Sequence, residues 1–422
     1  MKAPIKIRAG ALQFVLFIGA IIAILLFAFV LISYTHSFFG KKTDLMVEVI
    51  QGTEYGLQYA YQKNMRAGEI LQVPATENSG ISITVQKAYW GIFEKYVSLA
   101  EQGQQSFSKL ALSGNYYPEG LPALYLKDKQ RPLIIAGNSK IMGDAYLPQQ
   151  GIRMGNISGN SYRHSRLVYG REKLSQATMP KIPEEVTGQI NRLLRTNPDG
   201  ASAVSLRPKM TLKNSFTSPT IDINGDIMEL EGVSLTGNIR IIASHKIVVL
   251  PTAMLRDVLL IAPEIEIRDG VKGYFQAIAS KRINVGRHCE LAYPSALVVK
   301  EKRSKGTPQG RHRNANLFID DQTSVHGVVL YLDESEERTY TPQIKISKNA
   351  LVRGQVYCTE NLELPGTVLG SVTTDAFIAL ANGSIYQNHL YDGHLDSSRL
   401  PLTYVGLPMA SSGNKKTMKW LY

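Results

Sequence analysis

The chain has 422 residues, with 47 Lys and Arg against 35 Asp and Glu, a formal net charge of +12. Hydrophobic residues make up 44% and charged residues 19%, which excludes an intrinsically disordered chain. Two cysteines exclude a disulfide framework and a cysteine-rich zinc module, and the length allows two or three domains.

No Asp, Glu, Lys or Arg occurs between Arg8 and Lys41. Inside that gap, residues 12–32 contain Gln13 as the sole strongly polar side chain, and Leu12, Val15, Ile22 and Ile32 mark the span. As a helix this stretch measures ~31 Å, one hydrocarbon core. Secretory signal peptides have a shorter apolar core and a small-residue cleavage site, so the reading is a retained transmembrane helix over 11–34. Lys2, Lys6 and Arg8 precede it, and Lys41 and Lys42 follow. Three cations against two favour a single-pass protein of the inner (cell) membrane, N-terminus cytoplasmic and C-terminal domain extracytoplasmic.

Lys6-Ile7-Arg8-Ala9-Gly10-Ala11-Leu12-Gln13 is a short basic leader ending in Gly before an apolar helix. It resembles the leader of type IV pilins and type II secretion pseudopilins. The resemblance implies cleavage after Gly10, N-methylation of Ala11, and pilin-like subunits or assembly proteins as partners. Most such proteins carry Glu at the fifth mature position, where this chain has Val15. The tip-located minor pseudopilins also lack that Glu, so the departure points to the minor class. The resemblance covers roughly the first 60 residues, and an ordinary signal anchor shares its features.

Beyond the membrane, Met46, Ile50, Thr53, Leu57 and Tyr61 fall at helical spacing, with Val49 and Ala60 beside them. Gly52 and Gly56, four apart, would let a neighbouring helix approach closely. Both a pilin-type helix packed on its globular domain and a plain juxtamembrane stalk explain this stripe. Residues 35–120 are thus expected to form a juxtamembrane helix and a small α/β linking region, with strands at 81–85 and 88–97.

Past residue 120 the chain repeats itself. Ile242-Ala243-Ser244, Ile261-Ala262-Pro263 and Ile278-Ala279-Ser280 open similar alternating stretches 19 and 17 residues apart. Val325-His326-Gly327-Val328-Val329, Val352-Arg353-Gly354-Gln355-Val356 and Val368-Leu369-Gly370-Ser371-Val372 share a second pattern. Residues 133–148 read as an earlier copy. Short alternating strands at this period suit the coils of a right-handed parallel β-helix over 121–405, about eight to ten coils deep. The second set also resembles bactofilin-like polymer-forming β-helices in its coil pattern. The fold class is therefore mainly β, behind an N-terminal transmembrane helix and a small α/β region.

Two insertions interrupt the repeats. Residues 183–198 carry Val186, Ile190, Leu193 and Leu194 at helical spacing. Residues 300–316 hold Lys300, Lys302, Arg303, Lys305, Arg311 and Arg313 around Gly306, Pro308 and Gly310, an exposed loop able to meet an anionic polymer. Lys415, Lys416 and Lys419 make a basic C-terminal tail of 406–422. With the leader, these two patches account for nearly all the net charge, so the body is close to neutral.

No catalytic constellation emerges. Asp320 and Asp321 are adjacent and would face opposite sides of a strand, so they read as a turn. His389, His394 and Asp396 lack the strand or helix context of a metal site, and no P-loop, G-x-S-x-G or dinucleotide fingerprint is present. No cofactor or metal is expected. The anchor and the lack of a nucleic-acid-binding motif argue against nucleic acid as partner. The expectation is a non-enzymatic membrane-anchored envelope protein, a minor pilin or pseudopilin-like component. A bactofilin-like scaffold and a β-helix polysaccharide-processing enzyme are the alternatives.

Overall fold

A run of residues 9–40 with no charge, few branched interruptions and no proline leaves nothing to stop a helix, and none stops there. In the computed structural model, which describes residues 9–74, 80–196, 205–301, 315–333, 339–410 and 414–422, helix α1 (Ala9–Tyr61) continues without a break for 53 residues, ~80 Å. The membrane-type and juxtamembrane stretches are one element. Strands β1 (Ile70–Val73), β2 (Ser82–Trp90), β3 (Phe93–Gln102) and β4 (Gln105–Tyr116) follow. The rest of the chain is mainly β, with a second helix, α2 (Glu184–Leu194).

The chain divides into two units, residues 1–57, 72–85 and 98–109, and residues 58–71, 86–97 and 110–422. In the first, the C-terminal part of α1 lies on the strand segments 81–85 and 98–100. Val49, Gly52, Thr53, Gly56 and Leu57 are buried. The two glycines admit a sheet, not the neighbouring helix expected for them. A Cβ on Gly52 would touch Ala100 and Ile83 at 3.4 Å, and one on Gly56 would sit 2.7 Å from Ile83 Cγ2 and Ser98 Oγ. Gly56→Val should therefore cost about 2 kcal/mol through overpacking, read as a lowered thermal midpoint.

The second unit is built on three parallel ladders. One runs Leu235, Leu255, Gly273, Leu291, Val325, Val352, Val368, Leu395, Ile141 in register. Another runs from Ile223 through Leu260, Leu297, Val356 and Val372 to Leu124, Ala145 and Glu172. The third joins Ile247, Ile265, Ile283, Leu317, Ile344, Leu362 and Phe377. The pairings close on themselves, and the inward residues form one buried cluster. Continuous apolar runs are what strands covered on both faces require.

The predicted repeats fall into register: Ala262 pairs with Ala279, and Val325, Val352 and Val368 align. Gly327, Gly354 and Gly370 align too, with φ of 141°, 143° and 151°. A Cβ on Gly354 would lie 2.0 Å from the Gly327 carbonyl oxygen, so the column admits glycine alone. The copy at 133–148 comes earlier in the chain but late in the ladders: strands Leu124–Leu126, Lys140–Met142 and Ala145–Leu147 pair beyond 367–396, so ladder order departs from chain order.

A second core covers the outer face of the middle ladder. Val186, Ile190 and Leu193 of α2 join Trp90, Ile92 and Phe93, and Leu110 and Leu112, over Ile242, Ile261, Ile278, Val298 and Leu330. The predicted strand over 88–97 is split here by a turn at Gly91. Gln276 fixes that turn, donating from Nε2 to the Trp90 carbonyl (2.9 Å) and accepting from the Ile92 N–H (2.9 Å). Tyr357 donates to the Pro180 carbonyl at 2.9 Å just ahead of α2.

The presumed basic tail is a strand, Lys415–Leu421, antiparallel to β4. Two of its three cations form ion pairs, and Lys416 lies 4.8 Å from the Tyr116 ring centroid. Lys415 meets Glu94 at 2.8 Å, and Lys419 meets Asp257 at 2.6 Å while lying 4.1 Å from the Tyr274 ring centroid. Glu94 also takes Lys87 at 3.0 Å, and Lys87 reaches Glu185 of α2 at 2.9 Å, with both Lys87 and Glu94 buried.

Alkali should loosen this unit. Burial pushes the hydroxyls of Tyr61 and Tyr357 up from 10.0 to about 12. A folded-state value above the unfolded one gives stability that is whole below pH 10 and lost as pH rises toward 12. The urea midpoint should fall across that window, and less steeply in Tyr357→Phe.

Candidate functional site

The residues singled out in the sequence lie in three places. Gly10 and Ala11 stand in the first turns of α1, both exposed. Leu12, Val15, Ile22 and Ile32 are 67, 65, 50 and 68% exposed. Among the described residues none of the most apolar window of this helix is buried, and the helix is long and apolar enough to cross a membrane, with mean hydropathy 3.3. A run of exposed Leu, Ile, Val and Phe of this length is stable only in lipid or against other apolar helices.

Lys302, Arg303, Lys305, Arg311 and Arg313 lie outside the described residues. Lys300 does not belong to an exposed loop: it sits in strand Glu290–Glu301 and is buried. The apolar run Leu297, Val298 and Val299 is buried on both faces, and pairing of Lys300 with Leu332 and of Glu301 with Asp333 extends the ladder to Glu301.

Most of the residues weighed for catalysis or metal binding are engaged elsewhere; His394, in strand His394–Asp396, keeps a buried Nε2 with no hydrogen-bond partner among the described residues. Asp320 accepts from the Asp321 N–H in a turn, and Asp321 accepts from the Asn349 N–H. His389 donates from Nδ1 to the Gln387 carbonyl at 2.6 Å, and Asp396 caps the short turn at Ser397–Arg399. Burial lowers the basicity of His394. Among the described residues no three His, Cys, Asp or Glu are grouped as a metal site would need. Cys289 and Cys358 are free and buried, and burial pushes both thiols up. Neither is a thiolate nucleophile at neutral pH.

Sequence reasoning missed a cleft of about 790 Å³ in the second unit. Its floor is the outer face of the middle ladder at the far end of the stack. Tyr357, Thr373, Tyr125, Tyr146 and Lys173 occupy successive strands in register. Two residues earlier on their strands, and so on the same face, come Gln355 and Ser371, while Asp144 and Arg171, just ahead of their strands, also line the cleft. Residues 117–122 and 397–402 supply walls. The Tyr125 and Tyr146 rings stack at 5.5 Å with 30° between planes, and the Lys173 ammonium lies 5.2 Å from the Tyr146 centroid. Tyr125 is fixed by donating to the Thr178 carbonyl (3.0 Å) and accepting from the Gln176 N–H (3.1 Å).

Asp144 is the best-partnered carboxylate of the cleft. Arg171 grips it with Nε at 3.1 Å and Nη2 at 2.7 Å, and Lys173 adds a bond at 3.0 Å. The Arg171 bonds, then that of Lys173, hold its carboxyl well below the usual carboxylate range. It remains ionised at neutral pH and makes a poor general acid. The alternation of Asp144 and Tyr146 about Ala145 was visible in the sequence. What brings them to Thr373 was not. No protein-family model, curated protein or solved structure matches the chain significantly.

Proposed function

We propose that this chain is a non-enzymatic, membrane-anchored envelope protein, a minor pilin or pseudopilin-like component of a secretion, adhesion or uptake filament. The observation that carries the reading lies in the first unit: one continuous helix, bare and apolar in its first half, seated through Gly52 and Gly56 on antiparallel strands in its second. An anchor that merely tethers has no need of such a seat. The leader residues up to Gly10 and Ala11, and Val15 at the fifth mature position, fit the minor class. In this reading the body is extracytoplasmic, and the apolar half of α1 meets lipid or the equivalent helices of sister subunits. The parallel ladders support a right-handed parallel β-helix, which would present a rigid lateral face to assembly partners.

A membrane-anchored bactofilin-like scaffold facing the cytoplasm is the second reading, favoured by the aligned glycines 327, 354 and 370. Topology separates the two. Ser384 is exposed and both native cysteines are buried, so Ser384→Cys offers one reactive thiol. An impermeant maleimide should label it in intact spheroplasts. Labelling only after lysis would favour the cytoplasmic scaffold.

A further inference from the structure

The cleft has a use that anchoring and assembly do not supply. Its floor spans five strands, ~19 Å at the usual strand spacing. A ligand lying along the ladder would therefore be extended. What kind follows from exclusion and from chemistry.

A peptide adding itself as a strand needs an unpaired edge. Here Val372 is paired on both sides, with Val356 and Leu124, and Leu124 is paired with Val372 and Ala145. Over these strands the floor offers side chains only, and the outermost strand, Glu172–Leu174, paired with Ala145–Leu147, gives an added peptide an edge of just three residues. A nucleic acid or other polyanion needs surplus cations. In the cleft Arg171 and Lys173 are balanced by Asp144 and Glu119, and both cations already bond Asp144. An apolar ligand would leave the hydroxyls of Ser371, Thr373 and Ser397 without partners.

The remaining match is an uncharged chain rich in hydroxyls and C–H faces. Hydroxyl side chains donate and accept, the Asp144 carboxylate accepts, and the Arg171 guanidinium, three-quarters exposed, donates. The paired tyrosines supply apolar ring surface with little conformational freedom left to lose. We propose that this cleft binds a neutral glycan chain along the ladder axis, contacting Tyr146, Thr373 and the Asp144–Arg171 pair. Binding without turnover is meant: the strongly ionised Asp144 gives no proton to a glycosidic oxygen.

The full-length chain, in a detergent that carries no sugar headgroup, can be titrated calorimetrically with cellohexaose and chitohexaose. A dT oligonucleotide and an unstructured peptide serve as contrasts. At least one hexasaccharide should bind with Kd below about 1 mM, and Tyr146→Ala and Thr373→Val should each weaken it about tenfold or more. Thermal unfolding of each variant identifies loss through misfolding, and Thr373→Val, nearly isosteric, decides the matter if Tyr146→Ala does not fold. Failure of both hexasaccharides to bind overturns the proposal. So does binding that Thr373→Val leaves unchanged, or binding of the oligonucleotide or peptide alone.

Discussion

Gly354→Ala lowers the unfolding free energy by about 4 kcal/mol. Two costs combine. The φ of 143° belongs to a region that side chains avoid, costing on the order of 1–3 kcal/mol. The new Cβ would also lie 2.0 Å from the Gly327 carbonyl oxygen, a backbone atom that cannot rotate away, and overpacking adds about 1–3 kcal/mol. Gly383→Ala is the control. Its φ is 78°, but a Cβ there meets nothing within 4 Å, so about 1 kcal/mol is expected from conformation alone. Urea unfolding of the two variants should separate them clearly. Equal midpoints would mean that the aligned glycines do not hold the ladders together.

The second large effect concerns α1. Ile22 lies mid-way along the charge-free stretch and half exposed. Arginine at the centre of a membrane helix costs about 3 kcal/mol on insertion scales. Ile22→Arg should therefore shift the chain out of the carbonate-resistant membrane fraction by roughly 100-fold in partition, whereas Ile22→Leu should leave it in place. The body should keep its melting behaviour in both, because none of the most apolar window of α1 is buried among the described residues. A body that unfolds in Ile22→Arg would show that this half of the helix is a core element.

How far the sequence foretold this structure depends on whether the determining contacts are local. The charge-free gap from Arg8 to Lys41 is a local signal, and a single apolar helix follows from it. The in-register Val-x-Gly-x-Val copies are nearly local, since each rung must match the next one along the chain. The turn at Gly91 is different. Residues 88–97 read as one strand because they are rich in aromatic and branched residues, and the turn is fixed by Gln276, remote in sequence. Likewise an alternating stretch specifies a rung but not its neighbour, so the stacking of Leu124 on Val372 was hidden. With it was hidden the whole cleft, whose lining comes from two stretches of chain, 117–180 and 355–409. The pairing of Lys415 with Glu94 and of Lys419 with Asp257 turned an apparent tail into a strand for the same reason.

The account rests most heavily on the anchor being a processed, pilin-type helix. Mass spectrometry of the N-terminus of the chain purified from membranes tests that directly. A mature protein starting at N-methylated Ala11 is the predicted result. An intact chain starting at Met1 would contradict it and leave a plain signal anchor.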